Sequence, residues 1–246
     1  MLYNNGMNNH ALPDIVYPLK KKSQYEELRY SLRSLKNIPH GRVFIAGEEL
    51  PKWAKNITHI YVRRFDGESG YMNADRNWLE ACMNNELSEE FIAMNDDMFF
   101  MKPIPELPYY HDGELAGYIK YRESLGDTHE NYLIGMKQTL QLLREHGVEK
   151  PLGYTLHIPM RMKKSYRLAL HGEFAREYNS GQLLLTKTLY GNLFHCFGTQ
   201  RVDVKFINDN FDPDETFLST NDPAFKYEKL GHFIRAKFPE KSEYEI

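Results

Sequence analysis

The chain has 246 residues, of which 41% are hydrophobic and 26% charged, and its net charge at neutral pH is −3. That length suits one domain, or one domain with a lobe, and two cysteines exclude a disulfide framework or a cysteine-rich zinc site. Slight acidity and the lack of an arginine-rich block give a nucleic-acid partner no electrostatic support, which argues against one without excluding it.

Residues 1–12 are polar and asparagine-rich and read as a loose leader, without the basic and apolar regions of a signal peptide. No run approaches a membrane span, so the chain reads as cytoplasmic, with any membrane attachment peripheral. Ile15–Tyr17 is a short strand closed by Pro18. A helix follows from about Ser23, a candidate N-cap, with Tyr25, Leu28, Leu32 and Leu35 on one face. Arg42–Ala46 and His59–Val62 are strand-like, and Asn73–Asn85 carries Ala74, Trp78 and Ala81 at helical spacing. Phe91–Met94 is an apolar strand that runs into Asn95, Asp96 and Asp97.

This β-α-β-β-α-β alternation predicts an α/β layered domain with a mostly parallel sheet and a more helical C-terminal half. In that second half, Glu114–Ile119 reads as a strand. Thr128–His146 reads as a helix with Leu133, Met136, Leu140 and Leu143 on one face and Gly147 as its stop. Two further helices are expected over Lys163–Tyr178 and Gln182–Phe194. Val202–Ile207 reads as a strand ending in Asn208, Asp209, Asn210 and Asp212. A last helix over Ala224–Phe238 groups Tyr227, Leu230, Ile234 and Phe238.

Adjacent carboxylates between apolar flanks are costly unless they sit at a strand end and something cationic neutralises them. In parallel sheets ligands collect beyond the carboxyl ends of the strands, where Asn95–Asp97 is expected. A divalent metal carrying a nucleotide diphosphate fits that chemistry, since carboxylate and phosphate oxygens can share one Mg²⁺ or Mn²⁺. An isolated Asp-Asp also reads as a polar turn. Arg29 and Arg33 project together from the first helix and can clamp a diphosphate, or pair with Glu26 and Glu27 on a solvated face. His157, before Pro159 and beside Arg161, Lys163 and Lys164, can act as a general base or serve a structural role. Asn208-Asp209-Asn210 repeats the strand-end logic, or is an Asx-rich turn. No P-loop, GxGxxG, HExxH or GxSxG is present.

The order of these pieces resembles the stealth family of sugar-phosphate transferases, which includes bacterial capsular polysaccharide phosphotransferases and the lysosomal-enzyme N-acetylglucosamine-1-phosphotransferase. The resemblance is carried by Asp14-Ile15-Val16-Tyr17 and by ELRYSLRS at 27–34, which leads on through Ile45 to the Pro51-Lys52-Trp53 turn. NDDMF at 95–99 with Lys102-Pro103, His157-Ile158-Pro159, Asn208-Asp209 and FPEKSEYE at 238–245 complete it. These segments and their connections cover about half of the chain. Pro18-Leu19-Lys20-Lys21-Lys22 stands where the first block usually continues into Trp-Val-Asp/Asn-Gly. The third block lacks an HRFR-type string, for which Lys187 and Arg201 are poor substitutes.

The resemblance implies a single glycosyltransferase-A-like, Rossmann-like catalytic domain, with a nucleotide-binding half at 13–125 and a helical acceptor-side half at 126–246. It also implies metal-dependent transfer of a hexose-1-phosphate from a nucleotide sugar to a glycan or polyol hydroxyl, as in capsule polysaccharide synthesis. In that scheme Asp96 and Asp97 hold the metal–diphosphate with Asp209, and Asn95 and Asp14 contact the nucleotide or metal. Arg29 and Arg33 hold phosphate oxygens, and His157 is the base. An ordinary glycosyltransferase on the same fold and a non-catalytic sugar- or metal-binding module remain open alternatives.

Overall fold

A computed structural model describes residues 12–65, 67, 69–126, 130–206 and 210–246. β1 (Asp14–Leu19) leads into α1 (Glu26–Ser34), and a 3-10 turn at Leu35–Asn37 precedes β2 (Val43–Gly47) and β3 (Ile57–Tyr61). α2 (Gly70–Met83) then returns the chain to β4 (Glu90–Ala93). Ser69 caps α2 by accepting the Met72 N–H at 3.2 Å. Ser23 does not cap α1, which starts at Glu26 with no side-chain cap and two acidic residues in its first turn, where they suit the helix dipole.

Beyond β4 come two short strands, β5 (Met98–Phe100) and β6 (Tyr110–His111). Glu114–Ile119, read above as a strand, instead opens α3 (Leu115–Ser124), because buried Leu115 and Ile119 lie one helical turn apart. α4 (Glu130–Glu145) buries Met136 with Leu133 and Leu140 packed beside it, as expected, whereas Leu143, also buried, packs instead into the core that holds Trp78 and Ala81. The helix expected over 163–178 gives way to β7 (Met160–Lys163), α5 (Lys164–Glu173) and α6 (Ala175–Asn179). In β7 burial alternates, Met160 and Met162 inward and Arg161 and Lys163 outward, which is the period of a strand.

α7 (Thr186–Leu193), β8 (Thr199–Gln200) and β9 (Phe217–Ser219) follow. Val202–Phe206 is not a strand: Lys205 makes only an isolated bridge to Ser219, and Ile207 lies outside the described residues. The last helix is broken at Glu228 into α8 (Asp222–Tyr227) and α9 (Lys229–Lys237). Leu230, Ile234 and Phe238 are buried, whereas Tyr227, expected with them, is 68% exposed. Among the described residues no helix is long and apolar enough to cross a membrane.

The main sheet has the order β3-β2-β1-β4-β7, with β7 antiparallel to β4 and the other pairs parallel. This mostly parallel α/β arrangement is Rossmann-like. β1 is buried on both faces. Ile15 and Tyr17 pack with Leu28, Leu32 and Leu35 on the α1 side, and Val16 packs with Phe44, Trp78 and Ala81 on the α2 side. Pro18 does not close β1; it pairs with Ala46 inside it. Alternate residues aim their N–H groups to the same side, and Val16 faces β4, whose Met94 N–H it accepts at 3.0 Å. Pro18 therefore faces the side that β4 has already left, where its missing N–H costs no ladder bond.

Candidate active site

The strand order reverses between β1 and β4, so the crevice beyond their carboxyl ends is where a ligand is expected in such a sheet. Lys20–Lys22 leave β1 on one side of it, and Asn95–Asp97 leave β4 on the other. The latter form a tight turn into β5, closed by the Met98 N–H donating to the Asn95 carbonyl at 3.2 Å. The Asp97 carbonyl accepts the Thr220 N–H at 3.0 Å, which fixes the turn to the end of β9.

Each carboxylate of this turn faces a lysine. Asp96 Oδ2 lies 2.9 Å from Lys22 Nζ, and Asp97 Oδ2 accepts from Lys205 Nζ at 2.9 Å. Burial pushes the Asp96 carboxyl above its ordinary range, and Lys22 opposes that. Asn95 Oδ1, Asp96 Oδ2 and Asp97 Oδ1 are buried with no hydrogen-bond donor, and Lys22 meets Asp96 Oδ2 as an ion pair only.

β7 brings the histidine to the same edge. Because it runs antiparallel to β4 with Ala93 opposite Met160, the residues just before Met160 lie beside those just after Ala93. His157 thus comes to the Asn95–Asp97 side. Asp203 holds it twice: Oδ1 accepts the His157 backbone N–H at 2.8 Å, and Oδ2 lies 2.7 Å from Nδ1. Burial would raise the Asp203 carboxyl, but the contacts with His157 outweigh it and hold Asp203 below the usual range. An ionised Asp203 only accepts, so in the neutral imidazole Nδ1 carries the hydrogen and Nε2 the lone pair.

Lys187, in the first turn of α7, donates to the Ile158 carbonyl at 2.9 Å and faces Asp203 and Asp97. Burial lowers it to about 8, against the pull of those two carboxylates. Asn95, His157 and Lys187 line one cavity, which opens into a cleft of about 500 Å³ bordered by Tyr71, Tyr118, Tyr132 and Asp203. Tyr71 and Tyr132 stack there, with ring centroids 5.1 Å apart.

The other expected site residues lie elsewhere. Arg33 is buried and spends its donors on the protein. It makes two parallel bonds to Glu245, at 2.7 and 2.8 Å, and reaches the Phe238 and Pro239 carbonyls at 3.0 and 3.1 Å. Arg29 has its guanidinium over Trp53 at 4.7 Å and borders a separate hollow of about 550 Å³ on the α1 side. Neither Glu26 nor Glu27 bonds these arginines: Glu26 pairs with Arg235, and Glu27 with Lys22 and Thr220. Asp14 is at the amino end of β1, the opposite edge of the sheet, where it accepts the Arg42 and Ser88 backbone N–H groups at 2.7 and 2.9 Å. Asp209, and Asn208 beside it, lie outside the described residues.

Sequence reasoning missed Asp203 and Lys22 and set Lys187 aside. Lys22 stood in a conspicuous lysine triplet, but nothing in the sequence marks Asp203 as the partner of His157. Among the described residues no group of three His, Cys, Asp or Glu side chains is arranged to hold a metal. The donor-free oxygens of Asn95 and Asp97 are nonetheless of the hard type that a Mg²⁺ or Mn²⁺ takes.

Fold and site together define a Rossmann-like α/β protein with a charged cleft at its topological switch point. No family model matches the chain. It is similar to an exopolysaccharide phosphotransferase of Nocardia farcinica, 27% identical over 169 residues, which is 63% of this chain and 33% of the relative. It is also similar to the exopolysaccharide phosphotransferases CpsY of Mycobacterium leprae and Mycobacterium tuberculosis. Each is 24% identical over 63% of this chain, with 31% and 32% of the relative covered. The chain therefore spans about a third of the length of these curated relatives. They support the resemblance to stealth-like phosphotransferases drawn from the motifs.

Proposed function

We propose that this protein transfers a sugar 1-phosphate from a nucleotide sugar to a glycan or polyol hydroxyl in polysaccharide synthesis, on a glycosyltransferase-A-like domain. The observation that carries this reading is the His157–Asp203 pair, held beside Lys187 and the Asn95–Asp97 turn at the carboxyl edge of a mostly parallel sheet. The similarity to exopolysaccharide phosphotransferases supports it.

Such a transfer needs in-line positioning, charge neutralisation and a base. The acceptor oxygen attacks the phosphorus that bears the sugar. The new oxygen–phosphorus bond forms as the bond to the bridging oxygen breaks, and nucleoside monophosphate leaves. His157 Nε2 takes the hydroxyl proton while Asp203 holds the resulting imidazolium. Lys187 and Lys205 offer positive charge to the phosphates. Asn95 Oδ1 and Asp97 Oδ1, with Asp209, would hold a divalent cation, which when bound adds positive charge to the diphosphate. The donor belongs to residues 13–125 and the acceptor to 126–246, and the stacked pair Tyr71–Tyr132, one ring from each half, borders the cleft as an aromatic platform for a pyranose.

The test is incubation with a panel of nucleotide sugars and Mg²⁺ or Mn²⁺, with the released nucleotide read by chromatography. Nucleoside monophosphate is expected. Nucleoside diphosphate would instead mean attack at the anomeric carbon and ordinary glycosyl transfer. Thermal stabilisation by a nucleotide sugar with no turnover, even when glycan acceptors are added, would point to a binding module.

A further inference from the structure

Lys22 bridges the crevice. It leaves the carboxyl end of β1, and its Nζ lies 2.9 Å from Asp96 Oδ2, 3.3 Å from Glu27 Oε2 and 3.0 Å from Asp222 Oδ1. The three carboxylates come from three parts of the chain: the turn after β4, the first turn of α1 and the start of α8. Glu27 and Asp96 are largely shielded from water, with side chains 5% and 16% exposed. Burial raises both the Glu27 and the Asp96 carboxyls, and Lys22 opposes the shift in each. The cation present is an ammonium on the chain itself.

The spacing suits an ammonium. Lys22 donates to Glu27 Oε2 and Asp222 Oδ1 and meets Asp96 Oδ2 as an ion pair, at the 2.9–3.3 Å separations of ammonium–carboxylate contacts. Oxygen ligands of Mg²⁺ or Ca²⁺ stand at about 2.0–2.6 Å. Burial works against the Lys22 charge, but Asp96 and Glu27 outweigh it and hold the group protonated. Thr220 donates to Glu27 Oε1 at 2.7 Å, which fixes one of the three carboxylates in place.

We propose that Lys22 is the resident cation of the crevice and that Asp96 serves as its counter-ion rather than as a metal ligand. The positive charge on the Asp96 side is thus covalently attached and always present, and only the Asn95–Asp97 side is left for a divalent ion. This deepens the reading of the crevice as the phosphate site, on which its functional meaning rests, but the cation count is measured without any substrate.

The experiment uses the purified full chain and manganese alone. Bound Mn²⁺ is measured by electron paramagnetic resonance and melting temperature by circular dichroism, for the wild type, Asp96→Asn, Lys22→Ala and Lys22→Arg. Asp96→Asn is expected to leave Mn²⁺ stoichiometry and affinity within about twofold of wild type. Lys22→Ala is expected to melt lower, to gain one bound Mn²⁺, and to recover stability in MnCl₂ beyond any shift in the wild type. Lys22→Arg is expected to keep the wild-type manganese count.

A tenfold or greater loss of Mn²⁺ affinity in Asp96→Asn would overturn the proposal, because Asp96 would then be a metal ligand. So would a Lys22→Ala protein that melts like the wild type, or one that manganese stabilises no more than the wild type. If Lys22→Ala does not fold, the Asp96→Asn titration alone decides. Absence of nucleotide-sugar turnover, with the manganese results as expected, would refute the phosphotransferase reading and leave the assignment of Lys22 standing.

Discussion

His157 Nδ1 lies 2.7 Å from Asp203 Oδ2, and the same carboxylate fixes the His157 backbone N–H through its other oxygen. Both the ring and the chain that carries it are therefore locked by one residue. In the neutral ring this leaves Nε2 as the acceptor, on a residue that lines the cleft. His157→Ala is expected to lower turnover by about 10²–10⁴-fold. Asp203→Asn should cost at least about tenfold, because the amide no longer selects the tautomer or stabilises the imidazolium. Steady-state rates with the nucleotide sugar identified from the panel check both. Full turnover in His157→Ala would remove the histidine from the mechanism.

Lys187 is a partly buried base lowered from 10.5 to about 8, chiefly by desolvation. Between about pH 8 and 10.5 the unfolded chain holds a proton that the folded protein has released, so stability rises with pH across that window. Below pH 8 the full cost of burying the charge is present. Lys187→Met should therefore raise the melting temperature at pH 7 by a few degrees, where about 1 kcal/mol corresponds to roughly 2–4 °C for a chain of this size. That gain should shrink by pH 10, while turnover is lost at both. Melts at the two pH values measure it, and an equal gain at both would mean that Lys187 does not titrate in this window.

Arg33 and Glu245 tie the closing segment of the chain to α1 through two parallel bonds, with the Glu245 side chain only 2% exposed. Arg33→Ala removes two of the buried carboxylate's bonds and leaves it Arg29, 3.4 Å from Oε2, and is expected to cost about 1–3 kcal/mol in urea unfolding. Burial would raise the Glu245 carboxyl, but Arg33 outweighs it and holds the group below its ordinary value. The pair's contribution is thus present above the unfolded value and lost as pH falls through the lower, folded one. If Arg33→Ala unfolded at the wild-type urea midpoint, the lock would carry no stability.

Asp14 and Asp97 separate the two edges of the sheet. Asp14→Asn removes a carboxylate that accepts two backbone N–H groups at the amino edge, and should cost about 1–3 kcal/mol of stability with turnover per folded molecule unchanged. Asp97→Asn, at the carboxyl edge, should lower turnover by about 10²-fold. Comparing melts and rates for the two variants tests whether the site occupies one edge only. A rate loss in Asp14→Asn that exceeds the fraction unfolded would contradict that placement.

Local pattern carried the first half of the fold. Apolar runs such as Phe91–Met94 and the Leu28, Leu32, Leu35 stripe of α1 state their own geometry, because periods of 2 and 3.6 are set by neighbouring residues. The strand-end position of Asn95–Asp97 was legible for the same reason. The second half was less so. Met160–Lys163 is too short to outweigh the helical pattern that follows it, and only pairing with β4 makes it a strand.

The antiparallel register that brings His157 to Asn95 was likewise invisible in the sequence, as was the choice of Asp203 as its partner, 46 residues away. Charge pairing was the hardest to read. Arg29 and Arg33 share a helix face and a spacing, and both meet Glu245, far along the chain, Arg29 also lying over Trp53 and Arg33 making two parallel bonds. By itself the sequence determined the elements of the first half, the sheet class and the acidic turn, because those follow from short-range sterics and hydrophobic periodicity. Only the tertiary structure decided which cation meets which carboxylate, because ion pairs form between residues that are neighbours in space and strangers in the chain.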